Sequence, residues 1–183
     1  MARIPTLPVG EAEGKTKSLY EAVQRQLGIV PNIFLTFGQA PAVLEAYLGQ
    51  VSALAGGALS PDLREQIAVA TAALNACDYC ASAHTLLGKK AGVSDAELSA
   101  NLALRSDNPH TQAVLTFVKA IVTQRGHIAD SDLHAIRTAN YSEEEIVEII
   151  AHVGLNMFTN YFNHIAQTDI DFPLVETQKS KVA

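Results

Sequence analysis

The chain has 183 residues, 48% of them apolar and 17% charged, with 7 Pro and 11 Gly, a composition that excludes a disordered or low-complexity protein. Its 13 Lys+Arg against 19 Asp+Glu give a formal charge of -6 with no basic run, which argues against nucleic acid and against an anionic membrane as partners. No apolar run reaches the ~18 residues of a membrane span, and the stretch from Met1 to Pro8 has no long apolar core, so a cytoplasmic protein is expected. Low charge density with many Ala, Leu and Ile and no Trp suggests apolar helix faces buried between subunits.

Residues 1–14, with Pro5, Pro8, Gly10 and Gly14, read as an extended arm lying on the body or on a neighbouring subunit. A first helix is predicted over about 16–27 with Leu19, Val23 and Leu27 on one face, ending at Gly28. Residues 32–37 have strand-like propensity but no second strand to pair with, so they read as a loop or a short helical turn. A helix over 41–55 ends at Gly56 and Gly57. Ser60-Pro61 supplies an N-cap and a first-turn proline for a helix reaching Leu74, with Asn75 as the break before a helix over about 77–90.

Capping boxes at Ser94/Glu97 and Ser142/Glu145, and the pair Asn108-Pro109, place further helices at about 94–104, 109–124, 130–139 and 142–167. The expected fold is therefore all-α: a single domain over 15–172 of about seven to eight helices, with a tail over 173–183 that ends in Lys179-Ser-Lys-Val-Ala and frays. Stretches 60–84 and 142–164 echo each other as a possible repeat of one helical unit. The last helix also carries His152, Asn156, Asn160, Asn163 and His164 at helical spacing. Amides disfavour helix interiors, so this stripe reads as a subunit seam, a pocket wall, a set of inter-helix hydrogen bonds, or plain exposed surface.

Both cysteines lie in one Cys77-Asp-Tyr-Cys80, followed by His84, with Glu65 twelve residues before Cys77. Spacings of three and four put Cys77, Cys80 and His84 on one helix face, where the thiols can form a disulfide and the imidazole can take a proton from Cys80. A helix start at Cys77 directs free N–H groups at its sulfur and so favours Cys77 as the more acidic thiol. On one straight helix Glu65 would point about 120° away from Cys77. A break near Asn75 instead lets the two segments fold together and bring Glu65 to His84; the alternative is a solvent-facing carboxylate paired with Arg64 or Lys89. A structural Cys pair and a three-ligand zinc site of Cys77, Cys80 and His84 are the competing readings. His110, His127 and His134 show no such coupling.

The pattern Glu65-x11-Cys77-x2-Cys80-x3-His84 in a small Ala-rich helical chain resembles the alkylhydroperoxidase D-like (AhpD-like) branch of the carboxymuconolactone decarboxylase superfamily. The likeness is strongest over about 41–92 and extends to Asn160–Ala166. It implies an AhpD-like helical fold, a homo-oligomer such as a trimer or hexamer, and an antioxidant oxidoreductase that reduces small organic hydroperoxides. By the same resemblance Cys80 is peroxidatic, Cys77 is resolving and exchanges with an external dithiol protein or lipoyl-type reductant, and His84 with Glu65 relays protons. No metal and no bound cofactor are implied. The chain departs from the founding peroxidases at Tyr79, where they carry histidine, which implies slower peroxide reduction or a disulfide-exchange adaptor; a metal-binding hydrolase or lyase of the superfamily is the more remote alternative.

Overall fold

The computed structural model describes residues 2–177; residue 1 of the expected arm and residues 178–183 of the expected tail lie outside the described residues. After a single 3-10 turn at Val9–Glu11 come α1 (Gly14–Leu27), α2 (Asn32–Phe37) and α3 (Pro41–Ala55). Next are α4 (Pro61–Leu74), α5 (Asp78–Lys90) and α6 (Asp95–Leu102). The chain continues through α7 (Pro109–Thr123), α8 (Asp130–Thr138) and α9 (Glu143–Ala166), with no strand among the described residues.

Local chemistry explains most of these boundaries. Pro41, Pro61 and Pro109 stand in the first turn of their helices, where a missing N–H costs nothing. Ser142 and Glu145 close a full capping box on α9, Ser142 Oγ accepting from Glu145 N and Glu145 Oε2 accepting from Ser142 N at 2.8 Å. At α6 only half of the expected box forms: Ser94 Oγ accepts from Glu97 N, while Glu97 Oε1 takes Asn101 Nδ2 at 3.0 Å. Ser60 caps α4 by backbone conformation alone.

α4 is the axis of the molecule. Leu63 and the run Gln66 to Ala72 are buried all round it, as a helix must be when it is covered on every side. Its alanines keep the cylinder thin, so α5, α6, α7 and α9 can all approach it. Ile67 and Ala70 join a core with Val114, Leu115 and Val118 of α7, Ile136 of α8 and Ile146, Ile149 and Val153 of α9. Ala72 belongs to a second core, with Tyr20 and Val23 of α1, Ile33, Phe34 and Phe37 of α2, Leu44 of α3 and both cysteines of α5. The Cys-x-x-Cys motif is thus part of a hydrophobic core.

Several expectations shift. The buried face of α1 is Thr16, Tyr20 and Val23, while Leu27 stays 39% exposed. Residues 32–37 keep to the helical-turn alternative, as a six-residue helix in which burial of Ile33, Phe34 and Phe37 outweighs their strand propensity. Residues 142–164 lie in one unbroken helix where 60–84 make two, so the echo in sequence is not a structural repeat. Residues 173–177 are held against α5 by Val175 N to Ser82 Oγ (2.9 Å) and Thr177 N to Asp78 Oδ1 (2.8 Å).

The arm is tied down through Tyr20. Its hydroxyl lies 3.1 Å from both the Leu7 and Leu35 carbonyls, and Leu7 N donates to Leu35 O at 2.8 Å. Gly38 makes room for that hydroxyl, since a Cβ there would sit 1.7 Å from Tyr20 Oη. Gly38→Ala is therefore expected to lower stability by roughly 1–3 kcal/mol, the usual cost of overpacking, and to make the arm more sensitive to protease. Thermal melting with limited proteolysis checks this, and parent-like values for both would contradict it.

Candidate functional site

α4 and α5 form an antiparallel hairpin across a tight reversal. Asn75 caps α4, Ala76 takes the left-handed conformation at φ 54°, and Cys77 N donates to Ala72 O at 2.9 Å while Ala76 N donates to Ala73 O at 3.2 Å. This is a Schellman closure with alanine where glycine is usual. The reversal folds α5 back along α4 and sets Glu65 opposite His84. Glu65 Oε2 lies 2.8 Å from His84 Nδ1, and because a carboxylate only accepts, the imidazole donates from Nδ1 and presents Nε2 elsewhere. Lys89 pairs instead with Asp95, at 2.7 Å.

Cys77 is the N-cap of α5 and its sulfur accepts from Cys80 N at 3.3 Å. Cys80 lies one turn on, with the two sulfurs 2.7 Å apart and both thiols free. They are 2% and 3% exposed. The structure therefore brings together all four residues singled out by spacing. It reverses one expectation: Cys77 is the less acidic thiol. Its S–H donates to Cys80 and its surroundings are buried, and these raise its pKa by more than the helix-start N–H lowers it. Burial also opposes ionisation of Cys80, but the hydrogen bond from Cys77, the charge of His84, the hydrogen bond from Asn163 and the nearby Asn160 amide bring its pKa down to about 7. Burial likewise disfavours the imidazolium of His84, yet the adjacent Glu65 carboxylate outweighs it and holds His84 above its ordinary value.

Tyr79 occupies the position of the expected extra relay histidine and works as a peg. Its hydroxyl accepts from Ile33 N at 3.1 Å, its ring meets Phe172 edge-on at 5.5 Å, and burial pushes its pKa up. The polar stripe of α9 divides. Asn163 Nδ2 donates to Cys80 Sγ at 3.3 Å, Asn160 Oδ1 accepts from Asn75 Nδ2 at 2.9 Å, and His164 Nε2 donates to the Asn75 carbonyl at 2.7 Å. Those three make inter-helix bonds, whereas buried His152 and Asn156 wall a cleft.

Three clefts surround the motif. Cys80 and His84 line an apolar one of about 700 Å³ with Leu27, Phe34, Tyr47 and Phe172. A second, of about 1090 Å³, shares Tyr47 and His84 with the first and reaches Glu65 and His152. Cys77 opens instead on a third, of about 920 Å³, lined by Asp78, His164, Gln167 and Thr168. Sequence reasoning missed the cleft walls, because Leu27, Phe34, Tyr47 and Phe172 come from four separate segments with no common spacing. Among the described residues no group of three or more His, Cys, Asp or Glu is arranged to hold a metal ion, so the three-ligand zinc reading lacks a site. No helix among them is long and apolar enough to cross a membrane.

A thiolate forms as pH rises through the folded pKa, so alkylation of Cys80 in the reduced protein is expected to rise with a midpoint near about 7. An ordinary cysteine titrates near about 8.5. Mass spectrometry of iodoacetamide-treated protein across pH, with Cys80 labelled before Cys77, checks this; equal labelling of the two would contradict it.

Residues 39–123 match the carboxymuconolactone decarboxylase family. No curated protein matches the sequence. Among solved structures, the fold is similar to an alkylhydroperoxidase AhpD core, an uncharacterized peroxidase-related protein from Ralstonia eutropha JMP134, with TM-score 0.85 and 24% identity over 93% of this chain and 92% of that one. It is also similar to the debrominase Bmp8, a cysteine-to-alanine variant in complex with 2,3,4-tribromopyrrole, with TM-score 0.80 and 23% identity over 92% and 91% of the two chains. An uncharacterized peroxidase-related protein from Silicibacter sp. TM1040 follows, with TM-score 0.80 and 20% identity over 91% and 90%. The match to the carboxymuconolactone decarboxylase family thus runs from α3 to α7, and along its length the chain shares the fold of the AhpD-like structures.

Proposed function

We propose that this protein is a thiol-dependent peroxidase for small organic hydroperoxides. The observation that carries the reading is an acidified Cys80 in an apolar cleft beside the Glu65–His84 pair, with Cys77 2.7 Å behind it and opening on a different cleft. The Cys80 thiolate attacks the terminal peroxide oxygen; the S–O bond forms, the O–O bond breaks, and the alkoxide takes a proton from His84 to leave as alcohol. Glu65 steadies the imidazolium. Cys77 then attacks the Cys80 sulfenic acid, forming the disulfide and releasing water. An external dithiol, a protein or a lipoyl-type group, reaches Cys77 from the third cleft, takes up the disulfide as its own and returns both thiols.

The apolar lining favours an organic hydroperoxide over hydrogen peroxide, because burying a hydrocarbon group there adds roughly 25 cal/mol per Å². Exposed Val147, Ile150, Phe158, Tyr161 and Ile165 along α9 support a homo-oligomer. With Tyr79 committed to Ile33, His84 alone handles protons at Cys80, which supports a slow peroxide step. If that step is negligible while disulfide exchange is fast, the protein is a disulfide-exchange adaptor.

A second reading comes from the aromatic wall of Phe34, Tyr47, Tyr79 and Phe172, which suits a flat ring, together with the likeness to a debrominase. Two thiols and a halogenated ring would give the disulfide, the dehalogenated ring and one equivalent of halide and proton.

Reduced protein mixed with cumene hydroperoxide is expected to lose two titratable thiols and regain them with a dithiol. In Cys77→Ser, Cys80 is expected to persist as a sulfenic acid that dimedone traps. Dimedone adduct on Cys77 in Cys80→Ser, with none on Cys80 in Cys77→Ser, would reverse the roles. Halide release from tribromopyrrole without any reaction with hydroperoxide would select the second reading.

A further inference from the structure

We propose that Asn163 and Asn160 form a two-amide cradle for anionic sulfur at Cys80, with Asn163 a catalytic residue and Asn75 and His164 positioning residues that fix the direction of the Asn160 amide. The catalytic part rests on the reading that Cys80 attacks.

The two asparagines stand three residues apart, on one face of α9, inside a helix that such side chains disfavour. Both are buried. Asn163 Nδ2 donates to Cys80 Sγ at 3.3 Å while its Oδ1 is buried without a hydrogen-bond partner. A purely structural amide would use both ends. Here the donor is satisfied by the reacting sulfur and the acceptor is left empty, which suits an anion and not a neutral thiol looking for an acceptor.

Asn160 has the complementary pattern. Its Oδ1 accepts from Asn75 Nδ2 at 2.9 Å, and its Nδ2 is buried without a partner in the resting geometry. The Asn75 side chain cannot turn over, because the same Nδ2 donates to Thr71 O at 3.1 Å, while His164 Nε2, 2.7 Å from the Asn75 backbone carbonyl, fixes the end of α4 from which that side chain projects. The Asn160 amide is thereby held with N–H outward and stands close enough to Cys80 to favour its ionised form. Asn75, which ends α4, thus connects the hairpin reversal to the amides of α9. When substrate closes the apolar cleft and excludes water, these fixed donors replace hydration of the sulfur, and Asn160 N–H is available for the negative charge that the resting contact with Cys77 only partly offsets.

The titratable groups near this sulfur are Cys77, Tyr79 and His84 from its own helix, Tyr47 from α3, and Glu65 of α4 through His84. On α9 the imidazole of His164 touches Asn75 and lines the cleft at Cys77; Asn163→Leu leaves every one of these groups in place, and His164→Phe removes only that imidazole.

The test is the pH dependence of Cys80 alkylation by iodoacetamide in the full reduced protein, read by mass spectrometry beside thermal melting. Asn163→Leu, which keeps bulk and removes the donor, is expected to move the midpoint up by about one pH unit, lowering the neutral-pH rate about fivefold while the rate at high pH returns to that of the parent. Asn163→Gln is expected to restore part of the loss. His164→Phe, at an exposed position and so free of folding risk, is expected to shift the midpoint the same way by a smaller amount. Parent-like midpoints in a folded Asn163→Leu and in His164→Phe would overturn the cradle; should Asn163→Leu not fold, the His164→Phe midpoint decides alone. Because this readout involves no peroxide, shifted midpoints in a protein that ignores hydroperoxide would keep the cradle and remove the peroxidase reading, and the opposite pair of results would do the reverse.

Discussion

The left-handed turn at Ala76 is the constraint on which the site depends. A non-glycine residue in that conformation costs roughly 1 kcal/mol or more, so the chain must recover it elsewhere. It does so through the two closing hydrogen bonds to Ala72 and Ala73 and through the packing of α5 along α4. The reversal does three things at once. It starts α5 at Cys77, it lays His84 against Glu65, and it points the Asn75 side chain and carbonyl at α9. A straight helix through Asn75 would separate the carboxylate from the imidazole and leave the amides of α9 without their partner.

The helices were legible because their punctuation is local. Proline at the first turn of α3, α4 and α7 and the capping box of α9 act within a few residues, and the structure keeps them. Residues 32–37 read only as loop or short helical turn for the opposite reason: the choice between them follows from burial of Ile33, Phe34 and Phe37 against α1, α3 and α9, which no window of sequence contains. The same distinction runs through the site. The i, i+3 and i+4 spacings of Cys77, Cys80 and His84 made the shared face plain, but the break that brings Glu65 to it could only be guessed from Asn75, since the residue that turns is an alanine with no turn signal. Thiol acidity was misread because a helix start is one local influence among several. Burial and a proton shared between two sulfurs 2.7 Å apart are tertiary, and they decide against Cys77.

Partition of the two thiols gives the chemistry a direction. Cys80 and His84 look into an apolar cleft with aromatic walls, Cys77 looks into a more polar one, and Tyr79 and Asn163 form the wall that both share. On the proposed peroxidase reading, substrate and reductant then need not displace each other, and the electron pair would pass between clefts by the short sulfur-to-sulfur path. Tyr79 fits this arrangement as a partition, anchored at Ile33 and Phe172, better than as a relay base, for which its pKa is far too high.

The central claim is that Glu65 and His84 act on Cys80 as one unit. A double-mutant cycle on the pH–rate profile of organic hydroperoxide reduction, with Glu65→Gln, His84→Gln and the pair, tests it most directly. Each single substitution is expected to slow the neutral-pH step by about 10²-fold with little change in melting temperature, and the double variant to be no slower than His84→Gln alone. Losses that multiply in the double variant, or a His84→Gln profile that matches the parent at full amplitude, would contradict it.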